Sequence, residues 1–107
     1  MNLRQYQIVI VNLDPTVGSE IKKTRPCLVI SPDEMNKYLR TITIAPITGK
    51  SRNYPTRVKF SLQNQKSWIV LDQIRAIDKK RIHKNVSKLP ETTIKKVKAI
   101  LKEIFID

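Results

Sequence analysis

The sequence predicts a mainly β protein, a small barrel or curled sheet of five to six short strands with short helical turns, covered by one C-terminal helix. Three observations lead there. Short apolar runs rich in Ile and Val recur along the chain, each ended by Pro, Gly, Asp or Asn. Two further runs, Thr41-Ile42-Thr43-Ile44-Ala45 and Thr56-Arg57-Val58-Lys59-Phe60, alternate polar and apolar residues as half-buried strands do. Only near the C-terminus does the apolar spacing change to the three and four residues of a helix.

Tyr6 to Leu13 reads as the first strand, and Asp14-Pro15-Thr16-Val17-Gly18 ends it with turn residues. A basic loop follows and leads into Cys27 to Ile30, a branched run too short for a stable helix and expected as a buried strand. Ser31 to Asn36 suits a loop with about one helical turn, Pro32 being acceptable at its start. In the third strand Ile42 and Ile44 face inward, and Pro46-Ile47-Thr48 falls at the strand's end, because proline has no amide to give a ladder. Gly49 to Pro55 is a polar, basic loop, and Thr56 to Phe60 is the fourth strand. Ser61 to Lys66 is expected as a turn and Ser67 to Leu71 as the fifth strand, which Asp72 to Arg75 leaves. Asp78 can cap a turn over Lys79-Lys80-Arg81, and Ile82 to Leu89 carries a sparse last strand. Ile94, Val97, Leu101 and Ile104 then mark the buried stripe of the helix, with Ile100 and Phe105 beside it. Lys95, Lys96, Lys98, Lys102 and Glu103 take the opposite side, and Pro90 and Glu91 favour its start.

The expected organisation is one domain spanning residues 1–107, long enough to bury a core. Apolar residues make up 40% of the chain, and no run approaches the ~20 residues of a membrane span. With no signal-like N-terminus and a single cysteine, Cys27, the expected location is the cytoplasm, away from membranes. Lys plus Arg is 21 against 9 Asp plus Glu, a formal charge of +12, which predicts attraction to a polyanion such as nucleic acid.

Several chemistries lack their residues. One His and one Cys cannot build a His/Cys zinc site without carboxylates, and the nine acids form no D-x-D pattern. Cys27 lies inside an apolar run, which suits a buried thiol rather than a nucleophile, and His83 reads as a surface residue. Gly18 and Gly49 are isolated, so no phosphate loop is present, and a two-histidine ribonuclease is excluded by count. No cofactor is expected. What remains is a cation at the junction of a flexible loop and a rigid strand. Arg25, in Val17 to Ser31, occupies such a place.

The same residues resemble a known family. Asn12 to Glu20 with Lys23-Thr24-Arg25-Pro26, then Ala45-Pro46-Ile47-Thr48 with Tyr54 to Val58, then Leu71 to Lys79, resemble in order and spacing three blocks of the MazF/PemK toxin endoribonucleases. The chain departs from the usual pattern at Tyr6 and Gln7 and at Ile10. The resemblance implies an SH3-like β-barrel acting as a homodimer. It also implies metal-independent cutting of single-stranded RNA (mRNA), and restraint by a MazE-type antitoxin. It maps the catalytic pair onto Arg25 and Thr48, with Gly18, Ser19 and Glu20 in a loop bordering the RNA and Gln73 near it. Lys22, Lys23, Lys50 and Arg52, with Asn53, fall in the loops flanking that pair and are expected to follow the RNA backbone. The rival expectations are a barrel that only binds nucleic acid and a topoisomerase-poisoning toxin on a similar barrel.

Overall fold

β3 (Thr41–Thr48) is the strand on which the sheet turns. In the computed structural model, which describes residues 2–12 and 24–106, it touches three other strands. One edge pairs antiparallel with β2 (Thr24–Val29), Cys27 lying opposite Pro46 and Val29 opposite Ile44. The other edge is shared. Thr41 to Ile44 pair with β6 (Arg75–Asp78), and Ile47 and Thr48 pair with β5 (Gln65–Val70). Pro46 falls in the interval where β3 exchanges one partner for the other, so the strand runs through the proline to Thr48.

β1 (Gln7–Asn12), β4 (Arg57–Leu62) and β7 (Ile82–Lys88) complete a half-barrel in the order β4-β5-β3-β2-β1-β7, with β6 attached to β3 off that path. Two departures from the sequence reading stand out. Arg75 to Asp78 is a strand of its own, which sequence could not signal because Ile77 is its only buried residue. The one-turn loop near Asn36 is the helix α1 (Asp33–Tyr38), whose only buried residue is polar, so it lacks an apolar stripe. Asn36 sits in a closed hydrogen-bond set with the Ser31 hydroxyl and carbonyl and the Leu3 carbonyl, which ties α1 to the N-terminal segment. The expected Ser61–Lys66 turn narrows to Gln63-Asn64 between the paired residues Leu62 and Gln65. Both turn residues have positive φ (50 and 65), the geometry of a tight type I′ hairpin. The Asp78 cap forms as expected, its carboxylate accepting the Lys80 amide at 2.8 Å.

The core has two parts because the middle strands are buried on both faces. Successive residues of a strand point to opposite faces. Ile8 and Leu28 therefore join Ile69, Leu71, Ile94 and Val97, while their neighbours Val9, Cys27 and Val29 join Ile42, Ile44 and Ile77. This is why β1 reads as a continuous apolar run rather than an alternating one. Helix α2 (Glu91–Phe105) closes the first part with Ile94 and Val97 buried and Ile100, Leu101 and Ile104 packed at its margin. Phe105 lies outside that stripe and is exposed.

The basic loop after β3 is anchored by one ion pair. The Arg57 guanidinium donates to Asp72 through Nε at 3.2 Å and Nη2 at 3.3 Å, and through Nη1 to the Ser51 hydroxyl at 2.8 Å. Thr56 Oγ1 donates to the same carboxylate at 3.0 Å, and the guanidinium stacks 4.7 Å from the Tyr54 ring centre. Arg57, as hydrogen-bond donor, holds the Asp72 carboxyl below its ordinary value, and burial opposes this. A depressed carboxyl stabilises the fold above the unfolded value, about pH 4, and that contribution disappears as pH falls through the folded value. Between pH 7 and pH 3, urea unfolding should therefore show a smaller loss of stability for Asp72→Asn than for the native chain. Equal losses would remove the pair from the acid response.

Candidate active site

Arg25 and Thr48 are brought together by strand register. β2 and β3 pair Cys27 with Pro46, and Arg25 and Thr48 each lie two residues beyond that pair, at the same end of the two strands. Both side chains line one open cleft of about 650 Å³. Arg25 is exposed at the start of β2, immediately before the buried Cys27-Leu28-Val29, so a rigid strand carries an accessible cation. Among the described residues no salt bridge engages it. The half-buried Thr48 hydroxyl lies 3.2 Å from both the Lys50 amide, which donates to it, and the Lys50 carbonyl, which accepts from it. An arriving anion can take the proton now given to the carbonyl without disturbing the bond from the amide.

Ile10, Pro26 and Ile47 form the apolar floor, and Gly49 opens one rim. The remaining walls come from both ends of the sheet order. The β4–β5 hairpin contributes Gln63, Gln65 and Ser67, and β7 contributes Lys84 and Asn85. None of these five was marked by sequence. The signal did not exist there, since β5 reaches β3 and β7 reaches β1 only through strand pairing.

Of the residues expected to hold RNA, Gly18, Ser19, Glu20, Lys22 and Lys23 lie outside the described residues. Lys50, Arg52 and Asn53 are exposed on the loop beyond Gly49 and do not line the cleft, and Asn53 Oδ1 accepts from Trp68 Nε1 at 3.3 Å. Gln73 ends the 3-10 turn Leu71–Gln73, also exposed and away from the lining. Among the described residues the lining includes two cations, Arg25 and Lys84, and neither carboxylate nor imidazole, a composition suited to an anionic ligand.

Residues 4–105 match the family model described as PemK-like, MazF-like toxin of type II toxin-antitoxin system. The chain belongs to this family. It is 34% identical over 101 residues to Endoribonuclease MazF of Staphylococcus saprophyticus, an alignment covering 89% of this chain and 84% of that one. It is therefore a MazF-like toxin endoribonuclease of a toxin–antitoxin system. The fold is shared with the Mycobacterium tuberculosis toxin MazF-mt6, at a TM-score of 0.78 and 24% identity, covering 92% of this chain and 95% of that one. It is shared equally with MazE-MazF (Form-II) from Deinococcus radiodurans, at 0.81 and 22%, covering 97% and 96%. These matches are to barrel-like toxins, as the half-barrel sheet with its C-terminal helix requires.

In this MazF-like chain the other reactive groups stand apart from the cleft. Cys27 is fully buried, and burial pushes its thiol up to about 12 against the weaker opposing pull of Arg25 and Arg75. Its Sγ lies 3.6 Å from the Arg25 carbonyl. The thiolate is the reactive form, so at pH 8 iodoacetamide should leave native Cys27 unmodified over a period that fully alkylates the urea-unfolded chain. Equal rates would show that β2 opens readily. His83 is exposed on β7. Among the described residues no three His, Cys, Asp or Glu side chains group closely enough to hold a metal, and no helix is long and apolar enough to cross a membrane.

Proposed function

We propose that this toxin cuts single-stranded RNA, mRNA in the cell, by attack of the ribose 2′-hydroxyl on the neighbouring phosphate, with Arg25 and Thr48 as its catalytic pair. The observation that carries the reading is that Arg25 and Thr48, from adjacent paired strands, line one cleft together with Lys84. In the reaction the 2′-oxygen loses its proton and bonds to phosphorus, the bond to the 5′-oxygen breaks, and that oxygen gains a proton. The products are a 2′,3′-cyclic phosphate and a 5′-hydroxyl. Arg25 stabilises the charge that builds on phosphorus, because a planar guanidinium can fork onto two phosphate oxygens. Its role is electrostatic rather than proton transfer. Thr48 adds one hydroxyl donor. The acid nearest Arg25 in sequence, Glu20, lies outside the described residues and takes no step here.

The protein acts in the cytoplasm as one domain and as a homodimer, and a MazE-type antitoxin silences it. The Deinococcus relative solved as MazE-MazF supports that partner. Lys22, Lys23, Lys50 and Arg52 attract the RNA backbone from outside the cleft, with Gly18, Ser19, Glu20, Asn53 and Gln73 bordering its path.

Incubating the purified protein with a long RNA in EDTA tests the reading. Defined fragments with 5′-hydroxyl ends are expected. Intact but bound RNA would make the protein a binder only, and blocked supercoiling without cleavage would make it a topoisomerase poison. RNA affinity should also fall steeply between about 50 and 200 mM salt, since each neutralised phosphate releases counterion. A flat dependence would remove the basic loops from the binding path.

A further inference from the structure

β7 departs from a regular strand where it meets the cleft. Its pairing with β1 runs Ile8 to Ser87, Val9 to Asn85, Ile10 to Lys84 and Val11 to Ile82, which leaves Val86 and His83 without partners. A regular strand presents alternate residues to one face, whereas here three in succession, Lys84, Asn85 and Val86, line the cleft. Such irregularities re-aim side chains beside functional sites. On the other side β5 pairs with β3 at Thr48, and its first residue, Gln65, reaches the same cleft after the tight Gln63-Asn64 turn, so Arg25 and Thr48 lie between two walls that each bear a carboxamide. The Asn85 and Gln65 amide groups are exposed and hold no hydrogen bond among the described residues, the Gln65 backbone carbonyl alone accepting from Ser67.

A carboxamide offers a donor and an acceptor side by side and can read the edge of an unstacked base. Among the described residues no aromatic side chain lines the cleft, so stacking, the sequence-tolerant way of holding a base, is not supplied by those walls. Lys84 offers only donors and suits a phosphate. We infer that Asn85 on β7 and Gln65 on the β4–β5 hairpin read the bases flanking the cut phosphate and so set which RNA sequence is cleaved, while Lys84 holds the backbone without discrimination. This rests on the RNA-cutting reading above and adds the source of its sequence choice.

The test maps 5′ ends from a mixed pool of long RNAs cut by the full chain and its variants. Asn85→Ala and Gln65→Ala are each expected to lower, by tenfold or more, the cleavage ratio between preferred sites and sites differing by one base. The two variants should relax different positions. The shape-conserving Asn85→Asp and Gln65→Glu lose the donor but keep the acceptor, and should shift preference toward bases that present an amino group. Lys84→Ala should slow all sites alike and reduce the slope of binding on log salt by about one. Unchanged site ratios in the Asn85 and Gln65 variants, whatever their total rate, would overturn the inference while leaving the nuclease intact. Failure of the native chain to cut would overturn the nuclease reading itself.

Discussion

Arg25→Ala is expected to leave a folded protein that still binds RNA but cuts it at least about a hundredfold more slowly, the usual loss when one preorganised donor is removed from a charged transition state. The position makes this a clean substitution. The guanidinium is exposed, forms no salt bridge among the described residues, and precedes rather than belongs to the buried Cys27-Leu28-Val29. Truncating it should therefore leave the unfolding midpoint near native. Arg25→Lys should recover only part of the rate, since an ammonium keeps the charge and loses the two-pronged geometry. Initial rates on a fluorescent RNA, read beside a urea melt and a binding titration, separate these effects. Near-native cutting by Arg25→Ala would remove it from the catalytic role. A large fall in stability would mean that its part is structural.

Leu28→Ala, only three positions along the same strand, should do the reverse. Leu28 is fully buried, pairs with Ile8 on one side and Ala45 on the other, and belongs to the part of the core that α2 covers. Truncating a leucine in such a place costs about 2–5 kcal/mol, because packing contacts are lost and the strands around it cannot close the gap. The urea midpoint should fall accordingly. Folded enzyme at low temperature should keep a cutting rate close to native, since the neighbouring pairs still hold together the ends of β2 and β3 that carry Arg25 and Thr48. A loss below about 1 kcal/mol would mean that α2 seals the core less tightly than its buried Ile94 and Val97 indicate.

The contrast between these two residues reflects what could be read from the chain. The apolar run at Cys27 to Ile30 and the helical spacing from Ile94 to Ile104 are local patterns, and both became the elements they implied. β6 and α1 were harder to see because each buries a single residue, and a period needs repeats. Pro46 reads correctly, since Pro46-Ile47-Thr48 is the end of β3 and proline's missing amide falls where the sheet exchanges partners. Arg25 and Thr48 were legible through the blocks of residues they share with the toxin family, not through any physical signal in their neighbours.

By itself, then, the sequence determined the strand runs, the closing helix, the cationic excess and the exclusion of histidine-pair chemistry, since these follow from local pattern and composition. Tertiary structure alone decided that Arg25 and Thr48 share one cleft, because register between two strands separated by a helix and a loop is settled by pairing and not by either strand. It also decided that Gln65 on β5 and Asn85 on β7, from either side of the β3–β2 pair, share one cleft with those residues. Curling a sheet brings together residues that no spacing along the chain can relate.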